Sequence, residues 1–293
     1  MGDKPVNKGL LKDIVRFQKE EITEYFIYKR LAGSIKAAGN REILTSIAED
    51  ELKHHDFLGK YTGSKALPDK WKIFRYYWIS KLFGLTFGVK LLEKGEEKAQ
   101  QAYQKIAKSI PELHSIIEDE DRHEKQLIDL IEEERLQYIG SVVLGLNDAL
   151  VELTGTLAGL TFALRDTRLI ALAGLITGIA ASLSMAASEY LSTKSDSDHS
   201  QAIKSAIYTG VAYVLTVAFL ILPYLILTNY FISLMLTIAV AIIIILVFNF
   251  YVSVAKDLPF KKRFLEMASI SLGVALLSFI IGYFVRLFLG IDI

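Results

Sequence analysis

The stretch AEDELKHHDF, residues 48–57, sets a glutamate and a histidine three positions apart, Glu51 and His54. IEDEDRHEKQ, residues 117–126, repeats the spacing with Glu120 and His123. On an α-helix, positions i and i+3 lie on one face, so each pair points the same way. A chain that carries this device twice needs two helices turning acid and imidazole toward one place.

The residues around each pair extend the pattern. A helix near 40–61, read at coiled-coil spacing, presents Leu44, Ile47, Glu51, His54, Leu58 and Tyr61. One near 110–137 presents Leu113, Ile116, Glu120, His123, Leu127 and Leu130. Two more periodic segments match them. The segment near 7–38 gives Leu10, Ile14, Phe17, Glu21, Glu24, Tyr28, Leu31 and Ile35, and that near 80–108 gives Val89, Glu93, Glu96, Gln100, Tyr103 and Ala107. Gly39 and Asn40 are expected to separate the first two helices, and Ser109, Pro111 and Glu112 to open the last as a capping box. Each stripe is apolar at its ends and acidic in its middle, the reverse of a solvated face. Buried unpaired carboxylates are costly, so four helices doing this together need a common partner. Carboxylate oxygens with imidazole nitrogen suit iron or manganese. One Glu-x-x-His arises readily by chance on a charged helix; two on core stripes, flanked by acidic helices, do not.

Charge divides the chain. Residues 1–137 hold 24 Lys/Arg and 24 Asp/Glu, whereas 138–293 hold 9 of each. In the second part, residues 205–255 carry no charged side chain over 51 positions, enough for two crossings at about 20 residues each. Five membrane helices are expected, near 138–164, 168–191, 205–227, 231–255 and 265–288. Arg135, Lys194, Lys204, Lys256, Lys261, Lys262 and Arg263 fall on one side of such a path, and Arg165, Arg168 and Arg286 on the other. That bias places residues 1–137 in the cytoplasm and the C-terminus outside. The start, MGDKPVNKGL, is charged and leads to the expectation of no cleavable signal. There is no cysteine, which excludes disulfides, zinc-thiolate sites and iron–sulfur clusters.

An acid at mid-bilayer costs roughly 2.5–3.5 kcal/mol and marks a functional position by default. The first span has two, Asp148 and Glu152, one turn apart, with Asn147 adjoining; the second has Met185 and Glu189 toward its end. Gly155 with Gly159, and Gly174 with Gly178, stand at packing spacing, for contacts within one subunit or between two. The segment DKWKIFRYYWISK, 69–81, mixes aromatic and basic residues and suits either a membrane interface or a cap on the bundle core. His114 and His199 read as surface residues.

Residues 8–137 resemble the ferritin-like, rubrerythrin-type family: KEEITEYFIYKRLA is similar to its first helix, LLEKGEEKA to its third, and the two Glu-x-x-His segments complete the set. The resemblance implies a di-iron centre, with manganese as the alternative, held by Glu21, Glu51, His54, Glu93, Glu96, Glu120 and His123. Glu20 and Glu24 are alternatives to Glu21, and His55 to His54. LGLNDALVELTGTLAGL and SLSMAASEYLSTKSDSDH resemble the first two helices of the vacuolar iron transporter family. That resemblance implies proton-coupled movement of Fe²⁺ or Mn²⁺ out of the cytoplasm through a pore between two subunits, with Asp148 and Met185 as main ligands and Glu152 beside them. Thr177 stands where members often carry a glutamate, and the loop 192–204 is too short for the metal-collecting insert of plant-type members. The whole chain is similar to membrane-bound ferritins.

The expected fold is therefore all-α: a ferritin-like four-helix bundle over 1–137, followed by a five-helix transmembrane domain over 138–293. The expected function is proton-coupled export of Fe²⁺, with Mn²⁺ as a second ion and with ferroxidase activity or metal sensing in the bundle. Expected partners are Fe²⁺ and H⁺ as transported ions, the lipid bilayer and a second copy in a homodimer, with no nucleic acid. The competing reading is a membrane-anchored di-iron oxidase, acting on Fe²⁺ or a quinol, without transport.

Overall fold

The structure, a computed structural model, describes residues 8–92, 94, 107, 110–129, 138–196 and 199–289. The described residues are helices and their connections, with no strand among them. The chain divides into two compact units, 1–136 and 137–293.

In the first unit, α1 (Lys8–Ala32) and α2 (Ala38–Thr62) pack along each other. Helix α2 begins earlier than its glycine suggests: Gly39 and Asn40 lie inside its first turn. It ends where Gly63 takes the left-handed conformation, φ 64°, and its N–H bonds the carbonyl of Gly59. The expected long helix over 80–108 does not run unbroken. Residues 70–83 form their own helix, α3 (Lys70–Phe83), whose first N–H groups bond the carboxylate of Asp69. Gly84 then adopts φ 101°, a conformation open to glycine, and α4 starts afresh over 85–92. Most of the remaining segment, with Glu93 and Glu96, lies outside the described residues. The last helix, α5 (His114–Asp129), follows a single 3₁₀ turn, Pro111–Leu113. Ile110 occupies the cap of that turn without a side-chain bond, and Ser109 lies outside the described residues, so the capping box is not seen.

Two apolar layers result. One gathers Ile27, Leu31, Leu44, Ile47, Tyr76, Leu92 and Leu127, and the other Ile14, Phe17, Leu58, Leu113 and Ile116. The acidic middles of the stripes on α1, α2 and α5 fall between them.

The second unit holds five helices long and apolar enough to cross a membrane: α6 (Ile139–Leu164), α7 (Thr167–Asp196), α8 (His199–Ile226), α9 (Tyr230–Ala255) and α10 (Phe260–Leu289). The loop expected over 192–204 is helical apart from 197–198, which lie outside the described residues, because α7 and α8 run past their apolar stretches. Helix α6 packs against each of the other four. Asp166 caps α7 and Asn229 caps α9, each carboxyl or amide oxygen accepting two backbone N–H groups, which makes both turns tight. The paired glycines serve contacts within this chain. Gly159 faces the backbone of Ser278 on α10, and Gly282 of that helix faces the backbone of Gly159, whereas Gly174 and Gly178 on α7 face Leu157 and Val217.

Candidate metal centre

Helical periodicity turns Glu21 of α1, Glu51 and His54 of α2, and Glu120 and His123 of α5 into the space between the two apolar layers. Glu21, Glu51, His54 and His123 are buried. Ligand atoms of Glu21, Glu51, His54 and Glu120 all lie within 4.8 Å of one another, a group that can hold a metal ion. His54 Nδ1 is 3.5 Å from Glu21 Oε2, 3.4 Å from Glu51 Oε2 and 3.2 Å from Glu120 Oε1. His123 Nδ1 is 3.2 Å from Glu51 Oε1 and 4.0 Å from Glu120 Oε2. The two rings stand 5.9 Å apart.

Inward, these groups crowd one another. Glu51 Oε2, His54 Nδ1, Glu120 Oε1 and His123 Nδ1 are buried atoms that make close contacts with one another but no formed hydrogen bond. Most buried polar atoms are paired, so four that lack a formed hydrogen bond, three of them in the group around His54, fit a cation that they can ligate.

Outward, each ring is held by an aspartate. His54 Nε2 lies 3.2 Å from Asp119 Oδ2, and His123 Nε2 lies 3.2 Å from Asp50 Oδ2. The exchange is reciprocal, since each aspartate belongs to the other helix's motif. A carboxylate on the far nitrogen orients a histidine ligand and raises its basicity. Arg122 ties the two together, 2.9 Å from Asp50 and 2.6 Å from Asp119. Asp50 and Asp119 escaped the sequence reading, although the signal was there: an aspartate precedes the glutamate in both motifs.

The electrostatics follow from crowding. Burial, then the nearby Glu51, pushes Glu21 up to about 7. Burial also raises Glu120. His54 and His123 would be lowered by burial, but the bonds to the surrounding carboxylates outweigh it and raise both. Burial works against Asp50 too, yet its bonds to Lys53 and His123 hold it at about 2.

The alternatives fall elsewhere. Glu24 is buried but paired with Lys72, 2.9 Å away, and burial holds it up at about 7 against that lysine. Glu20 is half-buried and absent from the group around His54. His55 Nδ1 lies 3.1 Å from Asp56 on its own helix.

In the second unit, Asp148 lines a cavity of about 580 Å³ between α6, α9 and α10, with Asn147, Asn249, Arg263, Glu266 and Met267 around it. Asn147 Oδ1 is buried without a partner. Asn249 Nδ2 bonds the carbonyl of Ile245 and reaches Met267 Sδ at 3.3 Å. Glu152, one turn on, accepts the Tyr213 hydroxyl at 2.7 Å and does not line that cavity. Met185 is half-buried against the unit's core, also away from the cavity walls, and Glu189 accepts the Ser141 hydroxyl. His114 and His199 are exposed.

Residues 139–203 match the VIT family. The match covers α6, α7 and the start of α8, and so includes Asp148, Glu152 and Met185. With five apolar helices, the VIT match makes this a multi-pass membrane protein and points to membrane transport of a metal ion. No curated protein and no solved structure matches the chain.

Proposed function

We propose that the protein exports Fe²⁺, with Mn²⁺ as a second ion, from the cytoplasm in exchange for protons. The first unit is a ferritin-like four-helix bundle over 1–137 whose di-metal centre captures the ion; the second, 138–293, carries it across. The observation that supports this most is the gathering of ligand atoms of Glu21, Glu51, His54 and Glu120 within 4.8 Å of one another, in a chain that matches the VIT family over 139–203.

Glu21, Glu51, His54, Glu120 and His123 would hold the metal, with Glu93 and Glu96 completing the set. Iron bound there supplies O₂-dependent oxidation of Fe²⁺. The chain's own residues bind and orient: Asp50 and Asp119 fix the imidazoles, and the apolar layers keep water out.

In the membrane unit, Asp148 takes the ion first, with Glu152 and Met185 further along. Glu152 is exposed on the single chain although it lies within a span. A carboxylate facing lipid is costly, which favours a second copy covering it and a pathway between two subunits. Protonation of the carboxylates from outside releases the ion.

The test is Fe²⁺ flux into liposomes holding the purified protein, with and without a pH gradient. Asp148→Ala should abolish flux and leave metal binding by the bundle intact; retained flux would sink the assignment. No flux from the unaltered protein, alongside Fe²⁺-dependent O₂ uptake, would establish the membrane-anchored oxidase instead.

A further inference from the structure

Helix α3 is apolar on two sides. Ile73, Tyr76 and Tyr77 pack inward against the first unit's core. Trp71, Phe74, Trp78 and Leu82 follow at steps of three, four and four, so they share the opposite side. They are 70, 48, 55 and 70 % exposed. Phe74 sits between the two indoles, its ring 5.7 Å from Trp71 and 6.3 Å from Trp78. The aromatic residues of 69–81 therefore do not all cap the core; three of the five, Trp71, Phe74 and Trp78, face out.

That outward face is held in place. Asp69 caps the helix and pairs with Lys19 of α1 at 3.3 Å, while its own N–H donates to Thr23 Oγ1. Lys72 reaches Glu24, and Arg30 lies over the Tyr77 ring at 4.3 Å. A helix apolar all round is stable when covered on both sides, and an exposed apolar patch of this kind marks an interaction surface.

The chemistry of the patch selects its occupant. Exposed Lys70, Arg75 and Lys81 flank the aromatic row. From residue 70 to residue 92 there are Lys70, Lys72, Arg75, Lys81 and Lys90 and no acidic side chain. Tryptophan and phenylalanine at the centre with cations at the edges is the composition of a helix lying in the headgroup region of a bilayer. The same chain holds five helices long and apolar enough to cross a bilayer, so a lipid surface is expected at high effective concentration.

We propose that this side of α3 docks the first unit on a lipid surface bearing anionic headgroups. Trp71, Phe74, Trp78 and Leu82 enter the boundary between headgroups and acyl chains, and Lys70, Arg75 and Lys81 pair with lipid phosphates. The docked helix is an anchor separate from the spans, and it requires nothing of the transport reading.

Trp71 and Trp78 are the only tryptophans in the chain, so intrinsic fluorescence reports on this face alone. The experiment uses the full chain in phosphatidylcholine–phosphatidylglycerol vesicles at low protein density. Docking gives blue-shifted emission, quenching by lipids spin-labelled near the headgroup end, and loss of acrylamide quenching. In Arg75→Glu with Lys81→Glu, each cation lost should lower the docked-to-undocked ratio about fivefold and return acrylamide access. Free access of acrylamide without lipid quenching overturns the proposal. So does protection from acrylamide without lipid quenching, because a protein surface then covers the face; dependence of that protection on protein density would identify a second copy.

Discussion

Asp50 and Asp119 each stand beside a glutamate of their own helix, yet each serves the histidine of the other helix. Their part is to orient rings, not to touch the ion, and variants should separate the two roles. Asp50→Asn or Asp119→Asn is expected to weaken metal affinity roughly 10–100-fold at unchanged stoichiometry, whereas Glu51→Ala lowers the stoichiometry itself. Metal titration of the full chain with elemental analysis distinguishes these outcomes. The same crowding sets a pH dependence. Glu21 stands at about 7 against an ordinary 4.5, so the folded state keeps a proton that the unfolded chain has released. The stability it contributes is present below 4.5 and is lost as pH rises through about 7. The raised histidines act in the same direction at higher pH. Asp50 opposes them only in acid, its contribution being lost as pH falls from 3.8 toward about 2. The metal-free α1 and α2 amides should therefore be less protected from hydrogen exchange at about pH 7.5 than at about pH 5.5. Metal loading should erase the difference and release protons, read as buffer-dependent binding heats.

Helix α6 runs through the membrane unit with its glycine face against α10, where a Cβ on Gly282 would collide with the Gly159 carbonyl. No side chain fits there. Gly282→Val should cost about 1–3 kcal/mol or more through overpacking, seen as a lower melting temperature in detergent. Gly273→Val on the same helix meets nothing within 4 Å and should melt like the unaltered protein. The small-residue spacing was readable from sequence; its partner was not, because spacing records that a helix can be approached and not by what. The same limit recurs elsewhere. The stripes through Glu21, Glu51 and Glu120 were legible because acid interrupts an apolar period, and the period fixes the face. The break at Gly84 was hidden inside a segment that stays periodic on both sides of it. The walls that α9 and α10 lend to the Asp148 cavity, Asn249 and Met267, carry no local signal at all, since only packing brings them to α6.

The two proposed metal-handling sites on one chain make sense if they act in series, and series action has a kinetic signature. A capture site raises the supply of ion to the pathway without adding to the pathway's own maximal rate. Losing it should therefore raise the concentration of Fe²⁺ needed for half-maximal flux while leaving the maximal flux nearly unchanged. In the proposed pathway Asp148 carries the ion, and its loss should remove flux at every concentration. Flux into liposomes measured across a range of Fe²⁺ separates the cases, using Glu51→Ala with His54→Ala for the bundle and Asp148→Ala for the spans. A half-saturation concentration shifted several-fold at constant maximum supports capture followed by transport. If the bundle variant instead loses maximal flux in parallel with Asp148→Ala, the cluster gates the pathway, and supply is not its role.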